Sequence, residues 1–211
     1  MTQFYYLLNI IVLTFLLMSK PVTIKAENPD TAIVKLKTHK NLILSAAEKF
    51  EINWKNLSAI IYVERTKNYD WSDDALDGLF AVSGLNSSIG FCQVKLKTAY
   101  WIELQLNDST TKHYPGRKYE GLLHVSSSPA ELLQKLQVDS LNILYAAAYV
   151  CIMQKRWRKA GFSIDEKPDI LGTLYSTGLF YRDGKERIPN SAPKANNFGK
   201  ETLAAFNKLK I

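Results

Sequence analysis

Three histidines and two cysteines in 211 residues leave little from which to build a metal centre or a covalent framework. His39, His113 and His124 fall in no metal-ligand spacing, so neither a metal nor another cofactor is expected. Cys92 and Cys151 could form one disulfide in an oxidising compartment. The favoured expectation is two buried free thiols, because free cysteine is among the most buried residue types. Arginine-rich arms and zinc-finger spacings are missing, which argues against nucleic acid as a partner. Internal repeats, low-complexity tracts and convincing strand patterns are missing as well. The apolar run from Phe4 to Met18, interrupted by Asn9 and Thr14, is shorter than the roughly 20 residues a membrane-spanning helix needs.

What is present describes an ordinary globular chain. Hydrophobic residues make up 46% and charged residues 22%, and one domain of this length buries a substantial core. The net charge of +7 points to an anionic partner: a cell-wall polymer or membrane surface before nucleic acid. The run 4–18 fits the core of a secretory signal, ended by Lys20 and Pro21, with Ala26 as the last residue before cleavage. The segment before the run carries no Lys or Arg, so a retained N-terminal anchor is the alternative. Removing 1–26 would take away Lys20 and Lys25 but no acid, and the basic character would survive.

Coarse periodicity predicts a mainly α domain. Residues 27–37 read as a polar leader. Helices are expected over about 38–51, about 54–67 behind an Asn53 cap, and from near Gln93 to about Leu106. Ser128-Pro129-Ala130-Glu131 starts another as a capping box with proline at the first helical position. That run reaches about Lys159, with a break near Val138 and a close at Gly161. Pro168 opens a helix ending near Gly178, and a last one covers about 199–210. The stretches 68–90 and 107–127 read as irregular and long enough to be functional loops.

Within the second of these helices, Leu57, Ile60, Ile61 and Glu64 stand at i, i+3, i+4 and i+7, which places an acid on an apolar stripe. A carboxyl held against apolar surface resists ionisation and can stay protonated as a proton donor. The bland alternative is an ion pair, with adjacent Arg65 as partner. In Ser87-Ser88-Ile89-Gly90-Phe91-Cys92-Gln93, Gly90 permits close backbone approach to a ligand, and the Gln93 amide suits sugar hydroxyl and acetamido groups. A third segment, Leu174-Tyr175-Ser176-Thr177-Gly178, carries a tyrosine whose hydroxyl needs a partner, either the Glu64 carboxyl or backbone.

These segments, together with Asn142 and Ala146-Ala147-Ala148-Tyr149, resemble the lytic transglycosylase (soluble-lytic-transglycosylase-like) family of the lysozyme superfamily. That family has a helix ending in a catalytic Glu, a Gly-Leu-Met-Gln segment, an Ala-rich helix with Asn and Tyr, and a Tyr-Asn-x-Gly segment. All four occur here in that order over about residues 40–180. Phe91-Cys92 stands for Leu-Met, Ser176 for Asn, and Arg65 for the Ser that usually follows the Glu. Ser83, Ser87 and Ser88 compete for the role of the substrate-contacting Ser.

The resemblance implies a lysozyme-like helical domain over 38–211 with a substrate groove. The protein would be an exported, monomeric enzyme of the periplasm or cell envelope, acting on peptidoglycan strands. Glu64 would be the catalytic residue, with Ser88, Gln93, Tyr149, Tyr175 and Ser176 binding substrate. Most glycosidases need two carboxylates. The transglycosylase reaction needs one, first as acid and then as base. Two alternatives remain open. A muramidase hydrolase would use Asp70, Asp73, Asp74 or Asp77 to place water. A non-catalytic wall-binding component would serve an envelope or secretion machine. The Tyr114–Arg117–Tyr119 loop and the basic stretch 155–159 are further candidates to meet the polymer.

Overall fold

Asn28 and Pro29 start the first helix where a leader is expected. In the computed structural model, which describes residues 26–67, 88–181 and 183–210, the Asn28 side chain accepts from Asp30 N (2.8 Å) and Pro29 opens α1, Pro29–Thr38. A cap followed by proline at the first position is a helix start, so the leader of 27–37 is corrected to a helix. His39 then separates α1 from α2, Lys40–Phe50, and the helix expected over 38–51 is divided there. The signal segment 1–25, the acids Asp70, Asp73, Asp74 and Asp77, and Ser83 and Ser87 lie outside the described residues.

Asn53 caps α3, Trp54–Thr66, by accepting from Lys55 N. Its stripe of Leu57, Ile60 and Ile61 is fully buried. A two-residue ladder follows, β1 Ser88–Ile89 against β2 Val94–Lys95, antiparallel with Ser88 opposite Lys95. This hairpin occupies the start of the helix expected from Gln93; the helix itself, α4, is Leu96–Asn107. Ser128 caps α5, Pro129–Gln137, by accepting from Glu131 N. The Glu131 carboxylate accepts from Ser127 N (2.9 Å) and not from Ser128, so the capping box is displaced by one residue. At Val138 the chain turns by 102° into α6, Asp139–Lys159.

α6 is the central element. Thirteen consecutive residues, Asn142 to Gln154, are buried, so this helix is apolar on all sides, as a core helix must be. It packs against α2, α5 and α7 (Pro168–Thr177). Behind it, α8 (Asn197–Lys208) crosses α7 and α3. The α7–α8 crossing is close because Gly199 lies there: a Cβ at that position would meet Asp169 O at 2.1 Å. Among the described residues the fold comprises eight α-helices and one two-stranded ladder, a mainly α class. No single described helix is long and apolar enough to cross a membrane. Cys92 and Cys151 are both buried free thiols.

Candidate functional site

Glu64 sits in the last turn of α3, where the apolar stripe of that helix meets a cleft. The same cleft is lined by Ser88, Gln93, Tyr149, Tyr175 and Ser176. All six residues singled out from the sequence therefore converge, from four separate segments, on one depression. Lys95, Thr98 and Tyr145 line it too and were missed. Tyr145 had a signal: it lies four residues before Tyr149 and so shares its helix face. Lys95 had a weaker one, two residues after Gln93 on the emerging strand.

Among the described lining residues Glu64 is the one acid. It retains some exposure toward the cleft but is densely surrounded by protein, and that desolvation raises its pKa from 4.5 to about 8 against the opposing charge of Lys95. Near neutral pH the group is mostly a carboxylic acid.

Arg65 does not pair with it. Successive helical residues point about 100° apart, and Arg65 turns away to Glu27, donating from Nε to Oε2 (2.8 Å) and from Nη2 to Oε1. Bonding to Arg65 holds the Glu27 carboxyl below its ordinary value despite burial, with help from Lys35. Arg65 Nη1 also donates to Phe91 O (2.7 Å), and the guanidinium lies over the Phe91 ring at 4.6 Å. Arg65 of α3 and Phe91 of the turn are thus in direct contact.

The turn between the strands is held from several sides. Asn142 accepts from Cys92 N (2.7 Å) and donates to Ile89 O and Leu136 O (2.9 Å each). Gly90, at φ +75°, is needed here: a Cβ would lie 2.4 Å from both Asn142 Nδ2 and Leu136 O. The close approach the structure shows at Gly90 is to Asn142 and the α5 terminus. Gln93 Nε2 donates to Gly90 O (2.8 Å), so part of its amide serves the turn.

The Tyr175 hydroxyl donates to Cys92 O (3.1 Å), the backbone alternative. Burial pushes its pKa well up, so it remains a donor. Tyr175 meets Tyr149 edge to face at 5.7 Å, and Tyr149 meets Trp101 likewise at 6.1 Å. Ser176 Oγ donates to Thr173 O (2.9 Å) and accepts from Asn196 Nδ2 (3.1 Å), which ties the end of α7 to the start of α8.

Below the cleft floor lies a second acid. Glu103, fully buried on α4, accepts from Tyr145 OH, Ser126 N (2.7 Å), Ser126 Oγ (2.8 Å) and Lys135 Nζ (3.2 Å). It does not line the cleft.

Other candidates are placed elsewhere. Tyr119 is fully buried, stacked on Phe50, with its hydroxyl on Glu51. Tyr114 donates to Glu120. In the basic stretch Arg156 pairs with Glu186, Arg158 with Asp165, and Lys155 lies over Tyr119. None of these residues lines the cleft that holds Glu64. No group of three His, Cys, Asp or Glu able to hold a metal occurs among the described residues.

No family model matches this chain, and no curated protein matches it.

Proposed function

We propose that this protein is an exported murein lytic transglycosylase with a lysozyme-like domain, cleaving the β-1,4 bond between N-acetylmuramic acid and N-acetylglucosamine. The observation that carries the reading is Glu64: an acid held protonated in a cleft, unpaired with Arg65, where the four family-like segments meet.

Glu64 delivers its proton to the glycosidic oxygen, the C1–O bond breaks, and positive charge develops at C1. The resulting Glu64 carboxylate takes the proton of the muramyl C6 hydroxyl as that oxygen bonds to C1. The product carries a 1,6-anhydro ring, and the carboxyl is regenerated. One group serves twice because no water is activated. Charge on Lys95 stabilises the carboxylate between the two transfers. The Tyr149 and Tyr175 rings supply an apolar wall against which a sugar face can lie. Tyr175, bonded to Cys92 O, positions the turn that presents Gln93 and does not orient the Glu64 carboxyl.

The test is digestion of purified peptidoglycan with mass spectrometry of the fragments. Anhydro-muramyl ends are expected from the wild type, and a loss of about 10²-fold or more in Glu64→Gln. Reducing ends without anhydro ends would assign a hydrolase instead. Undiminished cleavage by Glu64→Gln would remove Glu64 from the chemistry.

A further inference from the structure

The last turn of an α-helix leaves carbonyl groups without intrahelical partners, and the negative end of the helix dipole lies there. In α3 that turn carries both Glu64 and Arg65. The Arg65 carbonyl finds its partner outside the helix: Glu27 N donates to Arg65 O (2.8 Å). The Glu27 carboxylate returns to the same residue, accepting from Arg65 Nε (2.8 Å) and Nη2, and Lys35 of α1 donates to it as well. Residue 27 is thus fastened, by backbone and by side chain, to the residue that follows Glu64.

Glu27 is also the first residue after Ala26, where the secretory reading ends the signal. Hydrolysis of the Ala26–Glu27 peptide bond by the exporting cell's signal peptidase consumes one water. It leaves a carboxylate on Ala26 and turns the Glu27 amide into a primary amine, which takes up a proton below about pH 8. The neutral N–H on Arg65 O then becomes an ammonium with three donors, a positive charge at the helix end where cations are favoured. The charged side chains around that point are engaged with one another: Arg65 and Lys35 with the Glu27 carboxylate, and Lys67, at the α3 C-cap, with Glu201 of α8. Glu64 has Lys95 on its cleft side. A further cation at the other side favours the carboxylate that remains once the proton has been delivered.

We infer that removal of residues 1–26 is a maturation step for the site: it leaves Glu27 as a charged N-terminus seated on Arg65 O, and that charge makes Glu64 a stronger acid. This rests on the export and glycan-cleaving readings above and deepens them by naming how the site is regulated. The unprocessed chain, with a neutral amide at position 27, holds its Glu64 proton more tightly. Processing and proton delivery are thereby linked through a single hydrogen bond at the end of α3.

The experiment expresses the full chain in a bacterial secretion host and takes the intact mass of the exported protein, which should begin at Glu27. The pH midpoint of Glu64 ionisation is then read by carboxyl carbon NMR, with Glu64→Gln assigning the signal. Three forms are compared: the processed protein, the same protein acetylated at its α-amine, and a processed chain with four glycines inserted between Ala26 and Glu27. The midpoint of the processed protein should lie about 0.3 pH unit or more below that of the acetylated form. The glycine insertion moves the ammonium off Arg65 O and should behave like the acetylated form. A first residue other than Glu27, a retained segment 1–26, midpoints agreeing within about 0.1 pH unit, or an equally low midpoint in the glycine form overturns the proposal. The cleavage reading fails separately: processed protein with the lowered midpoint that releases no fragments from peptidoglycan refutes it and leaves the N-terminal charge standing.

Discussion

Glu64 combines two properties that oppose each other in most carboxyls: access to a cleft and a protonated resting state. Its pKa of about 8 sets the pH behaviour. The acid is lost as pH rises through 8, so kcat/KM should show a falling limb near that value. The Lys95 charge pulls that pKa down, and Lys95→Met should move the limb to higher pH, read from a pH–rate profile; an unmoved limb would mean Lys95 does not sense Glu64. Stability follows the same group. Folding raises the Glu64 pKa from 4.5 to about 8, so between those values the native state binds more protons than the unfolded chain. Stability therefore falls as pH rises through that window. Glu64→Gln is expected to melt above the wild type at pH 8, with the margin vanishing toward pH 4.5. A pH-independent margin in thermal melts would contradict the assignment.

The elements are joined at the cleft by a few side chains rather than by a sheet. The Gly90 turn is clamped by Asn142 from α6 and by Arg65 from α3. Gly90→Ala adds a methyl where Asn142 and Leu136 O leave no room, at a positive φ. It should cost about 3 kcal/mol or more in urea denaturation. Arg65 and Glu27 form a largely buried pair, so Arg65→Ala and Glu27→Gln should be non-additive, with a coupling of about 1–3 kcal/mol in a double-mutant cycle. Additivity within a few tenths would show that the clamp contributes nothing beyond its parts. The Phe91 ring beneath the Arg65 guanidinium adds a cation–π contact to the same clamp.

At the scale of the whole molecule, α6 runs through the core, and the cleft lies between its Tyr145–Tyr149 face, α3, the hairpin and the end of α7. The Glu103 hub braces that arrangement from below, linking α4, the 107–128 connection, α5 and α6. Lys135→Met leaves the buried carboxyl without its cation and is expected to destabilise the fold by about 3 kcal/mol, with unfolding still cooperative; an effect under about 0.5 kcal/mol would make the hub dispensable. The sequence by itself determined the helical class, the caps at Asn53 and Ser128, the proline start at Pro168, and the apolar stripe carrying Glu64. Each of these is written within a turn or two of chain, where backbone geometry and side-chain period act directly. The Asn28–Pro29 start is equally local, a cap followed by proline at the first helical position. Only the tertiary structure decided the partners. Arg65 chooses Glu27, 38 positions away, over its neighbour Glu64. Tyr175 chooses Cys92 O, Tyr119 is drawn into the core, and Lys95 comes to face the acid. Such choices depend on which groups packing brings together and deprives of water, and no local spacing encodes that.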